Sequence, residues 1–204
     1  TEDIEQMAAI LPSEKPYLKT GIFRSWASRI PWLLLLMVSA TFTSKILSAY
    51  ESALAACVVL TAFIPMIMDT GGNAGGQASV TIIRGLSLGE IGVRDALRVV
   101  WKELRVSLLC GISLAPVVFL KVMYIDGLYA EPDGVTISLV VAATLLFVVV
   151  IAKLVGCLLP LAVKAVRLDP AVVANPFITT IVDALALMVY FALASHFIPA
   201  LMAG

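Results

Sequence analysis

Charge is scarce in this sequence. Only 14% of its 204 residues are charged, and 14 Lys and Arg offset 14 Asp and Glu to a net charge of zero. A soluble domain carries about 25% charged residues. The even balance leaves no strong basic field, which argues against a nucleic-acid partner. Histidine is limited to His196, with no second ligand at zinc-type spacing. Cysteine is limited to Cys57, Cys110 and Cys157, each inside an apolar run. An odd number so placed argues against a disulfide framework or a zinc site, and the three read as small buried hydrophobes. Strand-type alternation, nucleotide-binding glycine motifs and clear internal repeats are missing. The chain opens on Thr1 and acidic residues, not on a signal peptide, so the expectation is a segment whose N-terminal portion has been removed.

Apolar residues are what the chain has in abundance. They make up 61% of it, and its mean hydropathy is +1.03. Soluble domains sit at about 45–50% apolar. Five apolar runs exceed what a globular core could hide. The fold class expected is all-α integral membrane, with five transmembrane helices per subunit. Residues 1–29 precede the first span, and residues 30–204 form the membrane domain. Thr1–Ile10 reads as a short amphipathic helix, broken by Pro12 and Pro16. In residues 17–29, Ile22, Phe23 and Trp26 oppose Lys19, Arg24 and Arg29, which suits a membrane surface.

The first span is expected over Ile30–Ala49, with Pro31 in its first turn. The second starts near Ala53 and leads into a glycine-rich stretch, where the helix either continues or breaks. The others are expected near Val99–Met123, Val135–Val163 and from Pro176 to the C-terminus. Pro116 is a candidate kink in the third. The basic connections are 15–29, 84–105 and 164–167. The positive-inside rule then puts the N-terminus in the cytosol and the C-terminus outside.

Two stretches carry chemistry. In Pro65-Met-Ile-Met-Asp-Thr-Gly-Gly-Asn-Ala-Gly-Gly-Gln77, the residues Asp69, Asn73 and Gln77 are spaced i, i+4, i+8 and share a helix face. Glycines 71, 72, 75 and 76 form small-xxx-small pairs that admit a close neighbouring helix. In the last span, Asn175, Thr179 and Asp183 repeat the spacing, and Pro176 marks a helix start capped by Asn175. Carboxylates inside a bilayer are expensive and face a partner, a cavity or an ion path. Oxygen donors without histidine or thiolate suit a hard cation. One acid per site is a poor cage, and a symmetric dimer would double Asp183 across its axis. Lys153 is the main intramembrane cation; it either pairs with Asp69 or Asp183, or faces water near a helix end.

At these residues the chain resembles the MgtE magnesium channels. The matching stretches are Thr1-Glu-Asp-Ile, Pro16-Tyr-Leu-Lys-Thr20, Arg29-Ile-Pro-Trp-Leu33, Ile64 to Gln77, Ile83-Arg-Gly-Leu86, Leu168-Asp-Pro170 and Asn175-Pro…Thr-Thr-Ile-Val-Asp183. The resemblance implies a homodimer in the lipid bilayer of the plasma membrane, with a magnesium pore at the subunit interface. It implies Asp183 as the selectivity carboxylate for hydrated Mg2+, with Asn175 and Thr179 lining the site. Asp69 and Gly76 match positions on the second span that contribute to it, and Asn73 lies in the same motif. Full-length members also carry cytosolic regulatory domains before this segment, and residues 1–29 resemble only the end of their connector. The implied consequence is a pore more open than that of a full-length member.

Three other classes compete with a passive channel. A proton- or sodium-coupled exchanger would titrate Asp183 or Asp69. An intramembrane aspartyl protease needs two carboxylates about 3 Å apart, and its Tyr-Asp and Gly-x-Gly-Asp motifs are missing, so no enzyme is expected. A structural protein would have no need of charge in the polar stripes.

Overall fold

The computed structural model describes residues 17–173, 175–198 and 201. The helix expected at Thr1–Ile10 lies outside them. Every regular element among the described residues is helical. We number the α-helices α1 (Ile22–Ala49), α2 (Glu51–Ala56), α3 (Ile64–Ser87), α4 (Ala96–Leu120), α5 (Gly134–Ala165) and α6 (Asn175–Phe197). Four segments are long and apolar enough to cross a membrane: Ile22–Ala49, Val93–Ile125, Gly134–Ala165 and Phe177–Phe197. The chain is a multi-pass membrane protein. The remaining long helix, α3, has 24 residues but carries the glycines and the polar stripe, which lower its hydropathy.

Two boundaries differ from the sequence reading. The surface piece expected before Ile30 is instead the opening of α1, which runs unbroken from Ile22 and has Pro31 in its interior. No helix breaker stands between Gly21 and Pro31, so the chain has no reason to stop where hydropathy begins to rise. The second span does not start cleanly at Ala53. Helix α2 ends at Ala56, Cys57 adopts φ −138° and ψ 79°, and a 3-10 stretch covers Val58–Phe63 before α3 begins. Pro65 in the first turn of α3 suits this restart, because the missing N–H would be unpaired there anyway. The glycine-rich stretch itself does not break the helix.

Helix α5 is the axis of the molecule, packed against α3, α4 and α6. Its long apolar stretch is buried on several sides, with Val141, Leu145, Val148, Val149 and Ala152 fully enclosed. The main core joins these to Ile67 of α3 and to Val182 and Phe191 of α6. A smaller cluster of Ile82, Leu86, Val99, Cys157 and Leu161 closes the other end of α3, α4 and α5. The Tyr190 hydroxyl donates to the Leu60 carbonyl at 3.0 Å and ties the 3-10 stretch to α6. Helix α1 is peripheral and buries no residue fully. Trp32 meets Phe177 edge-on at 5.7 Å, and Tyr50 stacks on Phe191 at 4.5 Å, so α1 runs beside α6.

The glycines set how close these helices come. A Cβ on Gly71 would sit 2.8 Å from Val148 and Val182, and one on Gly75 2.8 Å from Ile178. A Cβ on Gly156 would collide with the Gly75 carbonyl. Helix α3 therefore seats directly on α5 and α6, backbone against side chain, as the small-residue spacing requires. Gly156→Ala is expected to force α3 off α5 and to cost about 1–3 kcal/mol, the usual range for overpacking. Thermal unfolding in detergent measures this, and an unchanged midpoint would contradict the close crossing.

Candidate ion site between α3 and α6

Gly71 and Gly75 pack against α5 and α6, and the polar residues of α3 stand beside them, along the first turns of α6. The result is a cleft of about 200 Å3 lined by Met68, Asp69, Gly72, Asn73, Thr179 and Asp183. Gly72 makes the room: a Cβ there would lie 3.1 Å from the Thr179 methyl. Asp69 and Asn73 are exposed on the open side of the cleft, and Asp183 is half-buried deeper in α6. The two carboxylates repel each other across it. An open space lined by two acids, a carboxamide and a hydroxyl suits a cation with oxygen preference. Its volume leaves room for several waters around that cation.

Four of the six residues singled out in the sequence are thus brought together: Asp69, Asn73, Thr179 and Asp183. Gly76 is buried on α3, one turn beyond Gly72, and is not among the lining residues. Asn175 opens α6 on the same face as Thr179 and Asp183, and its side chain lies outside what the structure describes. The sequence reading missed Met68 and Gly72 as lining. Both follow once the stripe is widened, because Gly72 is one turn from Met68 and three residues from Asp69.

Among the described residues, no three His, Cys, Asp or Glu side chains converge on one point. The chain by itself offers two carboxylates, which suits a partly hydrated ion better than a stripped one. His196 packs edge-on against Phe197 at 4.7 Å and is exposed, away from the cleft. Lys153 forms no ion pair with Asp69 or Asp183 within 4.0 Å. Instead its ammonium reaches Gln77 Oε1 at 3.5 Å.

Comparison with known proteins identifies the family. The family described as MgtE, divalent cation transporter, matches residues 64–193. That range begins with α3 and ends within α6, so it contains both walls of the cleft. The chain belongs to the MgtE family. It is 35% identical over 195 residues to the magnesium transporter MgtE of Thermus thermophilus, covering 95% of this chain and 42% of that protein. It is 30% identical over 200 residues to the Bacillus subtilis protein of the same name, covering 98% of this chain and 43% of that one. The Enterococcus faecalis magnesium transporter MgtE matches at 30% over 171 residues, 84% of this chain and 36% of the relative. This MgtE-family chain therefore spans about two fifths of the length of the first two relatives.

Proposed function

We propose that the chain is the membrane part of a magnesium transporter that passes hydrated Mg2+ down its electrochemical gradient. The observation that carries this reading is the cleft: two carboxylates on facing helices inside a membrane domain, open on one side. The names of the relatives support magnesium as the ion. Helix α3 is the fifth span in this reading. At 1.5 Å per residue its 24 residues reach about 36 Å, enough for a hydrocarbon core of about 30 Å. Its polar face is then shielded from lipid by a second copy of the chain. In that homodimer the two clefts meet on the axis, and Asp183 of each subunit faces the ion path.

Asp183, Thr179, Asn175, Asn73 and Asp69 are assigned to the path, and Gly76, which is buried and does not line the cleft, by its position on α3 alone. Asp183 supplies the charge that draws the divalent ion, and the neutral oxygens order its water. Asp69, at the open side, is screened by solvent and contributes less. The basic connection between α3 and α4 supports a cytosolic N-terminus and an extracytoplasmic C-terminus in the plasma membrane. On the opposite side, Lys121 is neutralised by Asp126 at 2.8 Å, so it weakens the bias little.

Asp69→Asn is expected to weaken apparent Mg2+ affinity by about three-fold, a fraction of a unit-charge interaction at high dielectric. Initial rates of Mg2+ uptake into proteoliposomes at varied Mg2+ measure it. A loss as deep as that for Asp183→Asn would exchange the roles of the two acids.

A further inference from the structure

Lys153 stands 12 residues before the last residue of α5, about 18 Å along the helix axis. It is 6% exposed. A charge so placed is expected to have a partner or to face water. Among the described residues it has no carboxylate within 4.0 Å, and its hydrogen bond goes to Gln77 Oε1. Glu103 of α4 is also buried, at 8% exposure, and it too forms no ion pair among the described residues. The two opposite charges share the packed region of α3, α4 and α5 without closing on each other.

What Lys153 does reach is the polar stripe. Gln77 continues Asp69 and Asn73 by one turn, toward the end of α3 that leads into the basic connection, and it is exposed on the same face. Gly156, one turn along α5 from Lys153, lies against Gly75, so α5 comes close enough here for the lysine to pass α3 and present its charge at that face. A fixed positive charge thus stands one turn beyond the cleft.

We infer that Lys153 tunes the occupancy of the ion path: its ammonium, held by Gln77, weakens divalent cation binding in the Asp69–Asp183 cleft and so lets the ion leave. The inference rests on the transport reading above. Conduction requires binding weak enough for release. Two carboxylates per subunit, doubled in a dimer, would otherwise hold a divalent ion tightly. Lys153 is a positioning and tuning residue, not a ligand. It acts on a divalent ion with twice the strength it exerts on a monovalent one.

The test uses the whole protein with Lys153→Gln, Lys153→Met and Lys153→Arg. Two quantities are read: the Mg2+ concentration for half-maximal uptake into proteoliposomes, and that for half-maximal thermal stabilisation in detergent. Both neutral variants are expected to lower these concentrations about five-fold, and Lys153→Arg to stay within about two-fold of the parent. Unchanged values in the neutral variants overturn the inference, as does an equal shift in Lys153→Arg. Failure of both neutral variants to assemble makes Lys153 structural and overturns it too. Absence of both Mg2+ stabilisation and uptake in the parent protein overturns the transport reading itself, and this inference with it.

Discussion

Asp183→Asn is expected to lower Mg2+ flux by about two orders of magnitude while leaving the fold intact. The substitution keeps the shape of the side chain and removes one negative charge per subunit. A divalent ion interacts with a carboxylate a few ångströms away by one to several kcal/mol, depending on how much water remains between them. Each 1.4 kcal/mol is ten-fold in binding. At about 1.4 kcal/mol per subunit, inside that range, two copies on the axis compound to about 100-fold. The thermal midpoint is not expected to fall, because a half-buried charge in a membrane helix opposes folding. Uptake of Mg2+ into proteoliposomes, with the elution volume and melting curve of the same preparation, measures both halves. Undiminished flux would move the ion path away from α6.

Gly72→Leu is expected to close the path by volume alone. Gly72 lines the cleft opposite Thr179, and even a Cβ would lie 3.1 Å from the Thr179 methyl. Alanine needs the neighbour to yield by a few tenths of an ångström. Leucine brings three further carbons into a space of about 200 Å3 that has to hold an ion and its water. Flux is expected to drop more than ten-fold for leucine and less than about three-fold for alanine, since packed sites absorb one added carbon far better than four. Both charges remain, so Mg2+ still stabilises the Gly72→Leu protein in detergent if it reaches Asp183 from one side. Equal flux in the two variants would mean that ions do not pass between α3 and α6.

The elements differ in how far they could be read from residues alone. The spans around α4, α5 and α6 were legible, because long apolar runs have few alternatives to a membrane helix. The α3 glycines were legible as seats for neighbouring helices, since the spacing repeats at one turn. The pairing of Asp69 and Asn73 with Thr179 and Asp183 was half legible. Each stripe follows from its own i, i+4 spacing, but which stripes face each other depends on how α3 and α6 sit on α5. The break at Cys57 was hidden, because residues 53–63 are apolar but for Thr61 and a 3-10 turn leaves no mark in such a run. The early start of α1 was hidden by its arginines, which lower hydropathy without ending a helix. The environment of Lys153 was out of reach as well. Sequence offers Asp69 or Asp183 as its partner, or water near a helix end, whereas the backbone approach at Gly75 and Gly156 hands it to Gln77.

The central claim is passive passage of a divalent cation through this cleft. The reversal potential of the Mg2+ current across a planar bilayer tests it most directly, recorded with unequal Mg2+ on the two sides. The account predicts a potential that follows the Mg2+ gradient as for a freely diffusing divalent ion, unmoved when a pH or Na+ gradient is imposed. A reversal potential that shifts with pH or Na+ would contradict it and make the protein a coupled exchanger.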